Sequence, residues 1–471
     1  MPLIYLLDFA AIALLVGVAF YKGVEQALPF LAFFMVLIPN ESKIPLPGLF
    51  DLTTQRLVLV TVTALYFLLG ERNAQAGRTA RTSLKYLIAA HIGWSLISTA
   101  NSVVFDISFK RLLSQVLEYY LLYYVLTRAV SQVRTIHKIL FAIVAAIGVC
   151  GIFAYLEAYH SWSVLSLFPE EFSAYGTEPM VEFGRGLRVR ATFPHPILFG
   201  GAIAITIPLA LYLQTIFLSR LQRILLWLAI LLMFLSLYKT GSRGPWIALT
   251  LSLGVLFLVW QNRARAYLAF LGILALSVLV MRPGVSATIQ DTYAATLDDT
   301  TPMGASYEYR FALLDVAKQA LARSPARETW GYGMGSFRSL GLEAQFRRGT
   351  YPFSSCDSAW IEFMVETGYV GLLLIAALLL RAAQITLVNF LRLPKPDAYL
   401  LLVLFIDMVA FYFAMMSVST YSWGQNGHML WMLIAMSMAY IGLKRRNMEA
   451  TIFLESQAAR KSASATLTAA N

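Results

Sequence analysis

The sequence has little charge, few cysteines and few histidines. Charged residues make up 13% of its 471 positions and hydrophobic residues 58%, whereas a soluble domain carries about 25% charged residues. This composition excludes an ordinary soluble enzyme, a disordered chain and a typical nucleic-acid-binding module. The two cysteines and five histidines show neither a metal-ligand spacing nor a disulfide framework, so no metal and no other cofactor is predicted. The class that remains is a polytopic helical membrane protein.

Long apolar runs are what the sequence has instead. A membrane-spanning helix needs about 20 apolar residues, within a range of about 17–25. The first run lacks the basic flank of a signal peptide and is interpreted as a membrane helix. We therefore predict an all-α polytopic membrane protein with about 13 (12–14) transmembrane helices. The runs are 3–20, 55–70, 84–100, 111–127, 136–158, 195–217, 222–238, 245–260, 266–281, 359–380, 398–418 and 428–443, with a shorter one at 27–39.

Basic residues fall in every second loop between these runs, as one consistent topology requires. Most of the net charge of +11 is therefore a topology signal, and the C-terminus is predicted to be cytoplasmic. The chain then divides into N-terminal helices (1–158), a loop with the central helices (159–281) and a long outer loop (282–358). The C-terminal helices (359–446) and a tail (447–471), expected to be disordered, follow.

The outer loop 282–358 is too long for a bare connection in a compact protein. Its segment YRFALLDVAKQALARSP places Phe311, Leu314, Ala317 and Leu321 on one helical face. A glycine-rich segment, GYGMGSF, follows; no strand precedes it, so we interpret it as a tight turn and not as a dinucleotide site. The loop is predicted to form a small structured cap on the outer face of the membrane.

Several arginines lie in the outer loops, where the positive-inside rule disfavours them. A guanidinium matches a pair of phosphate oxygens and stays charged in a partly dry site. The arginines therefore predict an anionic, phosphorylated lipid substrate; the alternative is pairing with acids such as Glu178, Glu182 and Glu308. Arg243 stands out because it lies between two apolar runs, where a charge is costly. The outer arginines are Arg185, Arg188, Arg190, Arg243 and Arg310.

Four segments occur in a fixed order along the chain. They are RVRATFPHPILFG, TGSRGPWIAL, YRFALLDVAKQALARSPARETWGYGMGSF and DSAWIEFMVETGYVGL. Together they resemble the O-antigen ligase/polymerase superfamily of bacterial envelope glycosyltransferases, over residues 185–380. That family has a Thr-Phe-x-x-Pro segment and a Ser-Arg-Gly at a helix junction. It also has a periplasmic loop with an arginine and a Pro-x-x-Gly-x-Gly turn, and a closing helix with Glu-x-Gly.

The resemblance implies a glycan donor carried on undecaprenyl pyrophosphate, at the periplasmic face of the bacterial inner membrane. Arg243 resembles the family's pyrophosphate-binding arginine and Arg310 its loop arginine, and both are predicted to be catalytic. Further predicted substrate contacts are Arg188, Arg190, His195, Ser242 and Glu366. Besides the lipid-linked glycan and the phospholipid membrane, flippase and chain-length regulator proteins are expected partners, and nucleic acid is not.

The sequence departs from the family at the start of the closing helix. Ligases of the family carry His-Asn there, and Asp357-Ser358 stands in its place. An aspartate can accept the proton of a sugar hydroxyl, so Asp357 is predicted to be catalytic. The alternative is a helix N-cap, a common role for aspartate at this position.

The missing histidine favours a polymerase over a ligase. The predicted function is polymerisation of undecaprenyl-pyrophosphate-linked repeat units of an O-antigen or exopolysaccharide. The nearest alternative is a ligase or protein O-oligosaccharyltransferase, which transfers the glycan to lipid A core or to protein. A lipid-linked sugar transporter and a non-catalytic assembly subunit are further alternatives. A transporter predicts charge spread through the helix bundle, whereas a transferase predicts charge focused on one face.

Overall fold

The computed structural model describes most of the chain, with gaps. It covers residues 2–46, 51–69, 84–182, 186–216, 219–260, 302–346, 349–353, 355–395 and 397–469, with isolated positions between 265 and 294. Arg185 lies outside the described residues, and so does almost all of the predicted helix 266–281.

The described chain is mostly helical, as predicted. Each apolar run within it coincides with a helix or with part of one. The helices are α1 (Pro2–Lys22), α2 (Val24–Leu37), α3 (Thr54–Leu68), α4 (Leu84–Ala100), α5 (Phe105–Gln115), α6 (Leu121–Ala129), α7 (Val133–His160), α8 (Pro196–Thr215), α9 (Arg220–Lys239), α10 (Arg243–Val259), α11 (Pro302–Leu321), α12 (Pro325–Trp330), α13 (Ala359–Arg392), α14 (Tyr399–Ala414) and α15 (Gly424–Ala469). A π-helical turn, Val116–Tyr120, joins α5 to α6.

Five of the described helices are long and apolar enough to cross a membrane: α1, α7, α8, α9 and α13. Four shorter apolar helices accompany them: α2, α3, α10 and α14. The structure thus supports a membrane protein with several spans, while the predicted count of about 13 is not confirmed.

In the described ranges, three small antiparallel hairpins interrupt the all-α pattern, and all of them lie in loops. The strands are β1 (Lys43–Ile44) with β2 (Leu52–Thr53), β3 (Met180–Glu182) with β4 (Gly186–Arg188), and β5 (Glu343–Phe346) with β6 (Gly349–Pro352). They order the connections around the helix bundle and do not form a sheet of their own.

Helix α8 lies at the centre of the bundle. It is buried along almost its whole length and packs against α7, α9, α10 and α14. A helix that is apolar all round must be enclosed by others or by lipid, and here protein encloses it. The neighbours α9 and α10 meet α8 at the Thr240–Ser242 turn, where Gly200 of α8 leaves no room for a Cβ beside Pro245.

Residues 302–353, which we call the cap, have a small core of their own. Leu313, Ala317 and Leu321 of α11 are fully buried and pack with Phe353 and with Val365 of α13. Two of the four residues predicted for the buried face, Ala317 and Leu321, therefore lie in this core. The prediction was wrong for Phe311, which is 53% exposed, because Leu313 and Ala320 take the core side of the helix instead.

The glycine-rich segment of the cap is a tight turn, as predicted. Gly331, Gly333 and Gly335 all have positive φ angles, of 73°, 102° and 74°, a conformation that glycine adopts without steric cost. The amides of Tyr332 and Gly333 donate to the carbonyls of Val365 and Glu366 at 3.0 and 2.8 Å. The turn therefore fastens the cap to α13.

Helix α13 is interrupted at Gly368, where φ is 70° and ψ is −178°. An interruption frees carbonyls that would otherwise bond within the helix. Ser98 Oγ donates to the Glu366 carbonyl at 2.8 Å, and Trp94 Nε1 donates to the Thr367 carbonyl at 2.9 Å. Side chains of α4 and backbone amides of the glycine-rich turn therefore donate hydrogen bonds to the carbonyls that the kink leaves free.

The last helix extends into the C-terminal tail. Helix α15 continues as far as Ala469, within the segment 447–471 for which the sequence predicts disorder. Alanine is the best helix former, and the alanines of the tail are compatible with extending a helix that has already begun.

Candidate functional site

The start of α13 is tied to the segment that joins α14 to α15. The Ala359 amide donates to the Met415 carbonyl at 2.9 Å, and Ser419 Oγ donates to the Cys356 carbonyl at 2.6 Å. Ser358 is the N-cap, since its Oγ accepts from the Ile361 amide at 3.4 Å. The alternative interpretation of Asp357 as the N-cap is therefore wrong.

Asp357 lies in an electrostatic group with residues of helix α11 and of the segment before α8. Burial raises the pKa of Asp357, and the nearby positive charge of Arg310 opposes that rise. The Asp357 charge in turn contributes to raised pKa values of Tyr175 and Tyr309, for which burial is the main cause. We call Tyr175, His195, Tyr309, Arg310 and Asp357 the cap cluster.

Arg310 contributes a cation with spare hydrogen-bonding capacity. Its Nη2 donates a long hydrogen bond of 3.4 Å to the Ser417 carbonyl. Its Nε is buried and, within the described part of the chain, has no partner. A buried donor without a partner is costly. A ligand oxygen at this point would relieve that cost, so the geometry suits an anion.

Arg243 begins α10 close to the same segment. A Cβ placed on the adjacent Gly244 would lie 3.6 Å from Ser417 Oγ, and Ser417 also accepts from Arg310. The first turn of α10, which holds Arg243, therefore approaches the segment that Arg310 contacts, although the two arginines are distant in the sequence. Ser242 is the N-cap residue of α10 and lies between Arg243 and the turn that precedes it.

Arg188 is fully buried and is used inside the protein. Its Nε donates to the Thr240 carbonyl at 2.8 Å, its Nη2 donates to Ser242 Oγ at 2.9 Å, and its Nη1 pairs with Glu182. This geometry matches the alternative that the sequence left open, pairing with an acid. Arg188 holds the Thr240–Ser242 turn that presents Arg243.

Arg190 is also fully buried and organises the loop before α8. Its Nη2 donates to the carbonyls of Gly176 and Glu178, both at 2.8 Å, and its Nη1 donates to the Pro194 carbonyl at 3.2 Å. Burial lowers the pKa of Arg190, while the charges of Glu157 and Glu41 oppose the shift. These bonds fix the backbone next to Tyr175 and His195.

His195 is the N-cap of α8, as its position before a helix predicted. Its Nδ1 accepts from the Ile197 amide at 3.2 Å. The ring of Tyr175 lies 5.3 Å from the His195 ring and 5.9 Å from the Trp423 ring, measured between centroids. The Tyr175 ring therefore contacts both His195 and Trp423. Tyr175 also interacts electrostatically with Asp357.

Glu366 is not part of the cap cluster. It lines a separate cavity of about 470 Å³ on the side of α13 that faces α5 and the π-helical turn. Backbone amides of Gly335 and Phe337 hydrogen-bond its carboxylate. The predicted site residues therefore lie at two neighbouring sites, the cap cluster and this cavity. Trp423 lines the cavity and also contacts Tyr175 of the cap cluster.

Sequence reasoning missed a buried charged group beside this cavity. Glu118 in the π-helical turn accepts from Arg56 Nε at 2.7 Å and lies 3.1 Å from His428 Nε2. The signal that could have found it is an acidic residue inside the apolar run 111–127. Tyr175 and Ser417 were also missed, because tyrosine and serine in loops carry no distinctive sequence signal.

Metal ligands are not grouped in the part of the chain that is described. No set of three or more His, Cys, Asp or Glu side chains there could hold a metal ion. The candidate site is instead a group of arginines, an aspartate and aromatic side chains.

The fold and site define a class: a polytopic α-helical membrane protein whose loops form a structured cap over a cluster of arginines and a buried aspartate. A family model described as O-antigen ligase matches residues 228–376, a range that includes Arg243, Arg310 and Asp357. This match confirms the resemblance to the O-antigen ligase/polymerase superfamily that the sequence motifs indicate. Members are glycosyltransferase-like enzymes, and the family implies a lipid-linked glycan substrate and a membrane context. No curated protein matches the chain.

Proposed function

We propose that this protein is an inner-membrane glycosyltransferase that polymerises undecaprenyl-pyrophosphate-linked repeat units at the periplasmic face. The observations that support the proposal are that Arg310 contacts the Ser417 carbonyl and lies near Asp357, and that the first turn of α10, which holds Arg243, approaches the same segment. Three separate motifs of the family supply these residues. Fixed cations beside one ionisable carboxylate are what glycosyl transfer from a pyrophosphate requires.

Arg310 and Arg243 would hold the pyrophosphate of the donor. The buried Nε of Arg310 is a hydrogen-bond donor that has no acceptor among the described residues. Charge-assisted hydrogen bonds from arginine to phosphate are among the strongest in proteins. Negative charge grows on the pyrophosphate as the glycosidic bond breaks. Cations already in place stabilise that charge without reorganisation.

Asp357 would act as the general base. Its carboxylate takes the proton of the acceptor hydroxyl while that oxygen bonds to the anomeric carbon of the donor. The bond from this carbon to the pyrophosphate oxygen breaks, and undecaprenyl pyrophosphate leaves with the electron pair. The raised pKa of Asp357 makes it a stronger base than an exposed aspartate, which favours this role.

Arg188 and Arg190 would position the site and not contact the donor. Both are buried, and both hydrogen-bond backbone carbonyls beside site residues. A misplacement of about 1 Å can lower a rate about a hundredfold, so rigid support for Arg243 and His195 is itself functional.

A reconstituted transfer assay tests the proposal. The full-length protein in lipid receives the host's undecaprenyl-pyrophosphate repeat unit with no other acceptor. A ladder of lengthened glycans is expected. Single transfer that requires added lipid A core or a pilin-type protein would make the protein a ligase. No transfer to any of these acceptors would contradict a glycosyltransferase.

A further inference from the structure

The cavity beside the cap cluster is large enough for a ligand. Its volume is about 470 Å³, within the range of about 300–1,000 Å³ typical of small-molecule sites. Its lining comes from the β1–β2 hairpin, α5, the π-helical turn, the first turns of α13 and the segment before α15. Neither Asp357 nor Arg310 lines it, so it is distinct from the proposed donor site.

The charges that line the cavity are balanced. Four basic and four acidic side chains line it, and four of these eight form two ion pairs. Lys43 lies 2.9 Å from Asp51, and Arg56 lies 2.7 Å from Glu118. Arg111 donates to the Ser422 carbonyl at 2.9 Å. Because basic and acidic side chains are equal in number, the cavity has no excess of positive charge to attract a pyrophosphate and suits an uncharged, polar ligand.

The remaining groups suit a sugar. The Glu362 carboxylate accepts from Ser422 Oγ at 2.6 Å and keeps further acceptor capacity. The Lys110 ammonium, a donor, has no partner in the described part of the structure. Aromatic rings, including those of Phe363 and Trp423, form part of the wall. Apolar ring faces beside a few polar groups bind a molecule that has both hydroxyls and apolar faces.

The cavity lies close to the proposed base. Trp423 lines it and also contacts Tyr175 of the cap cluster. The Cys356 thiol, next to Asp357 in the chain, has a pKa raised chiefly by burial, with contributions from the charges of Glu362, Glu366 and Asp357. If Glu362 binds one sugar of the acceptor glycan, the next sugar of that glycan would therefore lie near Asp357.

We propose that this cavity is an acceptor subsite, which binds an uncharged sugar residue of the acceptor glycan through Glu362 and Lys110. The inference rests on the proposed function, since it supplies the second substrate of that reaction. Trp423 separates the two substrates, so that the acceptor and the donor pyrophosphate occupy adjoining but chemically different sites.

Binding measurements test this inference apart from catalysis. The probe is the host's repeat-unit oligosaccharide released by hydrolysis from its lipid pyrophosphate, titrated calorimetrically into the full-length protein in lipid nanodiscs. Undecaprenyl pyrophosphate without sugar is titrated separately. The variants are Glu362→Gln and Lys110→Gln, and the control is Glu171→Gln, an exposed glutamate outside the cavity.

The expected result is that each cavity variant weakens oligosaccharide binding by about tenfold, the loss of one hydrogen bond to a charged group. Binding of undecaprenyl pyrophosphate and the control variant should be unchanged. Lys110→Gln removes no contact seen in the described structure, so it remains informative if Glu362→Gln does not fold.

Other outcomes would overturn the inference. One is no binding of the oligosaccharide to the wild-type protein at millimolar concentration. Another is unchanged binding in both variants, and a third is weaker binding of undecaprenyl pyrophosphate in both. If glycan ladders form without such binding, only this inference fails. If the oligosaccharide binds in the cavity but no transfer occurs, the proposed function fails and the sugar site remains.

Discussion

Gly368 is the residue of α13 for which the structure predicts the largest effect of adding a single methyl group. Its φ of 70° with ψ of −178° lies in a region that is essentially restricted to glycine, at a cost of about 1–3 kcal/mol for other residues. A Cβ there would lie 2.2 Å from the Thr329 carbonyl oxygen and 2.8 Å from that of Glu328. Both contacts are with backbone, which cannot rotate away.

The two costs of Gly368→Ala add. Overpacking against fixed neighbours costs about 1–3 kcal/mol, so the total is about 2–6 kcal/mol with the backbone term. A typical protein has about 5–15 kcal/mol of stability. The variant should therefore be severely destabilised, or should release α12 from the kink in α13.

Two matched glycines separate these costs. Gly341→Ala has a positive φ of 58° and open space around its Cβ, so only the backbone cost of about 1–2 kcal/mol applies. Gly93→Ala lies in α4 with open space and no positive φ, and should be neutral or slightly stabilising. Thermal unfolding in detergent should show Gly93→Ala to be the most stable of the three variants, Gly341→Ala intermediate and Gly368→Ala the least stable. Equal stability of Gly368→Ala and Gly93→Ala would refute the close approach at the kink.

Three further variants test the charged groups. Arg310→Gln removes the charge that lowers the pKa of Asp357, so the acid limb of the rate–pH profile should move to higher pH; Arg310→Lys should restore it, and no shift would contradict the coupling. Arg188→Met should cost about 2–3 kcal/mol of stability, because several charged hydrogen bonds are lost; unchanged thermal unfolding would argue against its supporting role. Glu118→Gln removes the buried carboxylate that pairs with Arg56 and lies beside His428, and should cost about 3–5 kcal/mol. A double variant that also replaces that arginine by Met should recover stability in the same unfolding assay, and no recovery would contradict the pairing.

Much of the fold could be predicted from the sequence, since hydrophobicity sets where helices form. Most helices of the described chain coincide with the apolar runs, while α5, α11 and α12 lie largely outside them. The glycine-rich segment forms the predicted tight turn. The number of spans could not be settled in this way. Length and composition identify candidate spans, but the burial of a short helix such as α2 depends on tertiary packing.

The site was only partly predictable. Motif order indicated Arg243, Arg310 and Asp357. In the structure Arg310 interacts with Asp357, and the helix start that holds Arg243 approaches the segment that Arg310 contacts. The sequence could not distinguish arginines that support the site from those that face a ligand. Arg188 has the same residue type and loop setting as Arg310, and only the positions of Thr240 and Ser242 reveal that its nitrogens are already engaged.

The cavity could not be predicted, because its lining comes from elements that are far apart in the sequence. Its charged residues lie in or beside apolar runs, where each looks like an isolated exception. Their pairing, as in Arg56 with Glu118, depends on which helices are neighbours. That information is absent from local sequence patterns.

The most direct test of the central claim is single-turnover glycan transfer by Asp357→Asn. Asn keeps the shape of the side chain and removes its ability to accept a proton. Loss of a general base lowers a rate by about 10²–10⁴-fold, while binding of undecaprenyl pyrophosphate should persist. Asp315→Asn, at an exposed position on α11, is the control and should transfer at the wild-type rate. A rate for Asp357→Asn within about twofold of this control, far from the loss expected of a missing base, would contradict the assignment of Asp357 as the base.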